Sequence, residues 1–287
     1  MLVSNAVPFS GMDRPKRNFL AGRRAVITGS TAGVGFGIAR ALAGAGAEVV
    51  VNGRRQEAVE EAVAKLSAEF GEARIFGAAC DVGTAAGCNE LVEKQPSADI
   101  LINNVGVYGV KDFFDIPDSE WAQYIDVNVM SGIRLSRAYV PGMLKRYWGR
   151  VVFMSSEWCL DIPQSMIHYG LTKGAALSVT YGLAKRVVCT GVTVNAILPG
   201  PILPDLSSVK NEKDVCLTME ERMFAIEEQK RPAIKQHASS IDEIAQLVLY
   251  LASPDGAGTN GATLRVDTGK TEQVAWRSAR RPDRRCR

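Results

Sequence analysis

Three residues near the middle of the chain have the types and spacing needed to move a proton on and off oxygen. Tyr169 and Lys173 lie four apart. The surrounding pattern predicts a helix over Met166 to Arg186, so the phenol and the ammonium project from one face in adjacent turns. A tyrosine titrates near ~10, and a neighbouring cation favours the phenolate, drawing that value toward the range of a general acid or base. Ser156 stands thirteen residues before Tyr169, beyond a loop containing Pro163. Its hydroxyl can return to the same point and hold a carbonyl or alcohol oxygen against the phenol; Ser155 is the competing hydroxyl. A Tyr and a Lys at this spacing usually mark a solvated helix face, so the assignment needs a second motif.

Ala25 to Gly35, Ala-Val-Ile-Thr-Gly-Ser-Thr-Ala-Gly-Val-Gly, supplies it. A short apolar strand leads into a glycine-rich turn and then an alanine-rich helix. In that arrangement glycines let a pyrophosphate approach the backbone at a helix N-terminus. Gly29, Ser30, Thr31, Gly33, Val34 and Gly35 are the candidate contacts. The two stretches explain each other: one would hold a pyrophosphate, and the other would move a proton on and off oxygen.

With these two stretches, Asp81-Val82, Asn103-Asn104-Val105-Gly106, Asn128 and Pro199-Gly200 make the chain resemble the short-chain dehydrogenase/reductase family, in the family's order from about Gly22 to Asp267. The resemblance implies an α/β fold, a Rossmann-type doubly wound parallel sheet in a single domain, and hydride transfer to or from a nicotinamide. It implies that Tyr169 is the general acid/base and that Ser156 orients the substrate oxygen. It implies that Lys173 also grips the nicotinamide ribose and that Asn128 holds a water beside Lys173 in a proton relay. Asp81 and Val82 would lie by the adenine, although Asp81 also reads as a strand-end turn residue. Asn104 and Gly106 would shape the cofactor loop, and Pro199, Gly200 and Ile202 would turn over the nicotinamide. Two departures stand out. Val105 replaces the usual Ala, and Ile202, Leu203 and Pro204 occupy the place of a Thr that contacts the carboxamide. Members that prefer NAD place an acid at about Gly53; here it is missing and Arg54 follows, so NADP (NADPH) is expected over NAD.

Composition sets the outer bounds. The length suits one α/β domain with a sizeable core. The formal charge is +3. Arg277, Arg280, Arg281, Arg284, Arg285 and Arg287 against Asp283 more than account for it, so the body is slightly acidic and carries no footprint for nucleic acid. Cys80, Cys88, Cys159, Cys189, Cys216 and Cys286 show no metal-like spacing to His168 or His237, and no metal is expected. No apolar run approaches the ~20 residues that cross a bilayer, and the first residues make a poor signal peptide. The expected partner is a small carbonyl or alcohol substrate, with no nucleic acid and no membrane, in a cytoplasmic homodimer or homotetramer.

Taken in order, residues 1–21 read as a flexible leader, 22–269 as the Rossmann domain and 270–287 as a basic tail. Strands are expected at Ala25 to Gly29, Glu48 to Asn52, Ala73 to Ala79, Asp99 to Asn104, Arg150 to Ser155, Val192 to Leu198 and Gly261 to Val266. Helices are expected at Val34 to Gly46, with Gly37 packed on the sheet, at Gln56 to Phe70 and at Ile241 to Leu251. Another should span Asp118 to Tyr147, interrupted at Pro141-Gly142. The charged stretch 205–236 reads as a substrate lid. Tyr108, Trp158, Cys159, Leu160, Ile162, Pro163 and Met166 read as pocket or core. Two other functions fit the motifs: a nucleotide-sensing regulator without turnover, and an isomerase or dehydratase that retains its nicotinamide. The Gly29-x-x-x-Gly33-x-Gly35 spacing disfavours the latter.

Overall fold

The computed structural model describes residues 18–200, 202 and 239–267. The lid and tail stretches, and residues 1–17 of the leader, lie outside the described residues. Within them the strands β1 (Arg24–Ile27), β2 (Glu48–Gly53), β3 (Ile75–Ala79), β4 (Ile100–Asn103), β5 (Gly149–Met154), β6 (Val192–Pro199) and β7 (Thr263–Val266) form one sheet. Every pairing is parallel, in the order β3-β2-β1-β4-β5-β6-β7. The order reverses between β1 and β4, and the crevice beyond the C-terminal ends of those strands is where sheets of this kind bind ligands.

The strands read as unbroken apolar runs because both faces are covered. Ala25 and Ile27 of β1, Val49 and Val51 of β2, and Ile100 and Ile102 of β4 enter one core. Val26, Val50 and Leu101, the residues between, enter the other. This is the period-two alternation of a strand with a helix layer on each side. The helices are α1 (Gly33–Gly44), α2 (Gln56–Phe70), α3 (Ala85–Lys94), α4 (Asp118–Ile125), α5 (Ser131–Lys145), α6 (Ile167–Arg186) and α7 (Ile241–Ala252). Ser240 and Glu243 close a capping box at the start of α7, satisfying two N–H groups that the helix leaves without partners. No helix among the described residues is long and apolar enough to cross a membrane.

Several expectations change. Leu20, placed in the leader by the sequence, belongs to the domain: it is buried in the core and its N–H donates to the Ala45 carbonyl. Gly37 serves a helix contact and not the sheet: a Cβ there would come within 2.2 Å of Ile241 Cγ2 on α7. Helix α3 has no counterpart in the sequence reading, although Thr84 caps it by accepting from the Gly87 N–H. The long helix is interrupted earlier than expected, by a π turn over Asp126–Met130, and α5 runs through Pro141. Proline removes the N–H that would pair with the Arg137 carbonyl. Both residues lie on the exposed face, where water can take its place.

Beyond β6 the chain leaves the sheet and comes back beside itself. Ile202 pairs in parallel with Ser239. The Ser239 hydroxyl and the Gly200 N–H both donate to the Val266 carbonyl, at 2.8 Å each.

Candidate active site

The site lies at the C-terminal ends of β1, β4, β5 and β6. A cavity of about 370 Å³ opens there, lined on one side by Val34, Asn104 and Gly106 and on the other by Ser156, Tyr169 and Lys173, with Pro199, Gly200 and Ile202 closing a third wall. Eleven of the predicted residues thus fall in two places. Those just named share the cavity wall, while Gly29 and Gly35 lie behind it in the turn.

The turn is built by glycines for stated reasons. Gly29 and Gly33 have φ of +61° and +56°, which residues with a Cβ rarely adopt. A Cβ on Gly35 would fall 2.3 Å from the Gly29 carbonyl oxygen. Asn104 fixes the turn to β4: its Nδ2 donates to the carbonyls of Thr28 and Gly29, at 2.9 and 3.0 Å. Ser30 turns inward, donating to the Ile27 carbonyl and accepting from the Asn52 N–H. Thr31 leans on the end of β2, where a Cβ on Gly53 would sit 2.6 Å from Thr31 Cγ2. Arg54 follows β2 and is exposed. Asp81 takes the turn role, its Oδ1 accepting from the Gly83 N–H, and Val82 beside it is buried.

On the opposite wall, β5 delivers Ser155 and Ser156. Their roles separate by hydrogen bonding. Ser155 Oγ donates to the Lys173 carbonyl at 2.9 Å, which ties strand to helix. Ser156 lines the cavity with Tyr169, its Oγ accepting from the Trp158 N–H at 3.3 Å. Tyr169 sits between Trp158 and Tyr108, with edge-on ring contacts at 6.0 and 6.2 Å. Lys173 is 5 % exposed; its Nζ donates to the Met154 carbonyl at 2.8 Å and lies 5.5 Å from the Tyr169 ring centre.

The expected lowering of the Tyr169 pKa does not hold in this geometry. Burial pushes the phenol above its ordinary value, and the Ser156 hydroxyl only partly offsets this. Lys173 is held against Met154 and is itself shifted, burial lowering its ammonium to about 8. At neutral pH the site therefore holds a protonated phenol beside a largely charged ammonium, which is a proton-donating arrangement.

Asn128 stands behind the cavity wall. The π turn directs it at the loop after β4, where its Oδ1 accepts from the Val107 N–H at 2.7 Å and its Nδ2 donates to the Val107 carbonyl and to Thr172 Oγ1. A Cβ on Gly106 would be 3.4 Å from both Asn128 Oδ1 and Lys173 Nζ, so the three meet at one point. Of the apolar pocket candidates, Tyr108 and Trp158 line the cavity. Met166 is fully buried, Leu160 and Ile162 are exposed, and Cys159 packs against the core. Sequence reasoning missed Met154 and Glu157 on the wall and Thr172 behind it. The i, i+3 spacing of Thr172 from Tyr169 was the one available signal.

A family model described as short chain dehydrogenase matches residues 23–215. Among curated proteins, an uncharacterised oxidoreductase of Bacillus subtilis, YvaG, is 40% identical over 260 residues, covering 89% of this chain and 98% of the relative. A D-beta-hydroxybutyrate dehydrogenase of Cupriavidus necator is 31% identical over 88% of this chain and its own full length. Among solved structures, L-sorbose reductase from Gluconobacter frateurii, complexed with NADPH and L-sorbose, superposes with a TM-score of 0.80 at 29% identity, over 90% of this chain and 100% of that one.

Proposed function

The chain belongs to the short-chain dehydrogenase/reductase family of oxidoreductases, and on that premise we propose that it is an NADPH-dependent carbonyl reductase with Tyr169 as its proton donor. The observation that carries the reading is the cavity shared by Ser156, Tyr169 and Lys173 with Val34, at the start of α1 beside the glycine-rich turn. The bare glycines at 29, 35 and 106 and the N-terminus of α1 fit a nicotinamide dinucleotide phosphate, with Arg54 placed after β2 to pair with the extra phosphate. When bound, that cofactor supplies the hydride.

The protein's own residues do the rest. Ser156 holds the carbonyl oxygen against the phenol. Tyr169, protonated at neutral pH, gives its proton to that oxygen as negative charge develops there. Lys173 stabilises the phenolate left behind and would hold the ribose of a bound nicotinamide. Asn128 holds the loop at Val107 and the Tyr169–Lys173 helix through Thr172, and in this reading it would also hold the proton-relay water. Trp158 and Tyr108 limit the access of bulk water to the phenol. The reading extends to a cytoplasmic homo-oligomer, consistent with Cys80, Cys88, Cys159 and Cys189 being free thiols.

Tyr169→Phe tests the assignment, because it removes the proton donor and keeps the ring. Ketone reduction should fall on the order of 100-fold or more, while NADPH binding followed by fluorescence stays near wild type. Wild-type turnover by the Phe variant would remove Tyr169 from the mechanism.

A further inference from the structure

Proton and hydride transfer leave one buried titratable ring without a part. His168 precedes Tyr169 at the start of α6 and is fully buried, and among the described residues neither of its ring nitrogens has a hydrogen-bond partner. An apolar ring would fill the same place without leaving polar atoms unmatched in the interior, so the nitrogens call for a reason. Helix α4 encloses the ring. Tyr124 lies tilted over it at 4.1 Å between centroids, Trp121 stands edge-on at 5.9 Å, and Glu120 Oε1 is 3.6 Å from Nε2, just beyond hydrogen-bond reach.

Glu120 is engaged on its other oxygen. Lys111 Nζ donates to Oε2, and the Lys111 N–H donates to the Ser165 carbonyl at 2.8 Å, in the turn that precedes α6. Three residues before Lys111 is Tyr108, whose ring packs against Tyr169. His168, Glu120 and Lys111 thus stand where α6, α4 and the loop after β4 meet, and two of those segments carry the Tyr169 and Tyr108 rings. The titratable groups that bear on the imidazole from these elements are Glu120, Tyr124 and Lys111. Burial holds its pKa below the ordinary value, Glu120 opposes that and Lys111 adds to it. At neutral pH the ring is therefore uncharged. Once protonated it has two N–H donors and a positive charge, and Glu120 must then serve two cations.

We propose that uncharged His168 is the positioning residue that seats Tyr169 in the cavity. A proton on its ring draws Glu120 from Lys111, shifts the turn that carries the phenol, and so stops carbonyl reduction in mild acid. Displacing a reacting group by about 1 Å can cost about 100-fold. Acid otherwise leaves the site armed, since burial keeps Tyr169 protonated there and Lys173, lowered to about 8, is already charged. The proposal rests on the reductase reading of the same cavity, and His168 exchanges no proton with substrate.

The full-length protein with NADPH and 2-butanone, cyclohexanone or ethyl acetoacetate tests it between about pH 5 and 8. Wild-type kcat should fall by about 10-fold or more at the acid end, with the KM for NADPH little changed. His168→Phe keeps a ring between Trp121 and Tyr124 but cannot take a proton, so its kcat should stay flat over that range. Glu120→Gln keeps an acceptor for Lys111 and removes the charge that is drawn, so it too should lose the acid fall. The chain has two histidines, and proton NMR follows the His168 ring directly, its signal identified by its loss in His168→Phe. The ring should titrate at lower pH in Glu120→Gln and at higher pH in Lys111→Met. Without any substrate, the Tyr169 ring signals, identified through Tyr169→Phe, should change at the His168 midpoint. An acid fall that persists in His168→Phe, or a wild-type kcat flat to the onset of acid unfolding, overturns the proposal while the reductase reading stands. Tyr169 signals indifferent to the imidazole titration, or midpoints that do not separate in that order, overturn it equally. If NADPH binds and none of the ketones is reduced, the reductase reading falls and the Tyr169 signals alone decide the part of His168.

Discussion

Reversing the cofactor preference without losing stability should take three changes, because the position that must become acidic is already filled by a neighbour. An Asp at Gly53 would repel a 2′-phosphate and accept from a ribose 2′-OH, and removing Arg54 would take away the phosphate's partner. Loss of that charge-assisted pair is worth about 1.5 to 3 kcal/mol, or about 10- to 150-fold in the NADPH to NADH ratio of kcat/KM. The new Cβ, however, would stand 2.6 Å from Thr31 Cγ2 and 3.4 Å from Val59 Cγ2. The first distance is well inside ordinary contact, and threonine is stiff at χ1. Overpacking of this kind costs about 1 to 3 kcal/mol, so Gly53→Asp with Arg54→Ser should reverse the preference in a less stable protein. Thr31→Ser deletes the offending methyl and should restore most of that stability. Gly53→Ala, with and without Thr31→Ser, isolates the steric part in a double-mutant cycle read by urea denaturation. Additive effects of Gly53→Ala and Thr31→Ser would refute the contact. An unchanged preference in the triple variant would refute the part given to Arg54.

Other consequences can be measured directly. Burial lowers Lys173 to about 8 in the folded protein from an ordinary 10.5. The unfolded chain therefore binds more protons between about pH 8 and 10, and wild-type stability should rise with pH across that window relative to Lys173→Met, by roughly 3 kcal/mol in full; a difference that is flat in pH in ligand-free protein would contradict the burial of the ammonium. Asn128→Ala leaves the Val107 N–H and carbonyl without their partner and should cost about 1 to 3 kcal/mol in denaturant unfolding, an effect of a few tenths being the result that sinks this account of the π turn. Leu171 and Tyr181 of α6 are exposed, and light scattering should give a mass two or four times 31.0 kDa; a monomer at micromolar concentration would count against pairing through that helix.

The sheet was legible in the sequence because strands buried on both faces, such as Val49 to Val51 and Ile100 to Ile102, leave apolar runs that solvent-facing segments rarely carry. The Tyr169–Lys173 pair and the glycine turn were legible for a different reason, since each is a spacing rule within one element. What escaped depends on partners distant in sequence. Gly37 signals close packing but not that Ile241 is the neighbour. A π turn leaves no periodicity of its own, so Asn128 read as a residue of a continuous helix. Helix α3 is short, and only Gly87, Cys88 and Leu91 of it are buried, too little for an apolar stripe to show. Glu157 read as nothing, because a charged residue after a strand is ordinarily on the surface. The direction of the Tyr169 pKa was misjudged because spacing along a helix reports proximity to Lys173 and not how deeply the phenol is buried.

The pairing of Ile202 with Ser239 also bears on what sets the spacing of β6 and α7. Everything from 203 to 238 departs and returns through one hydrogen-bonded doorway, anchored to Val266 on β7. Closing a loop between fixed ends costs only about 0.6 kcal/mol more for each doubling of its length. The Ile202–Ser239 pairing and its anchor at Val266 thus hold the end of β6 and the start of α7 together at the sheet, so that the spacing of these two elements is set locally and not by the length of chain between them.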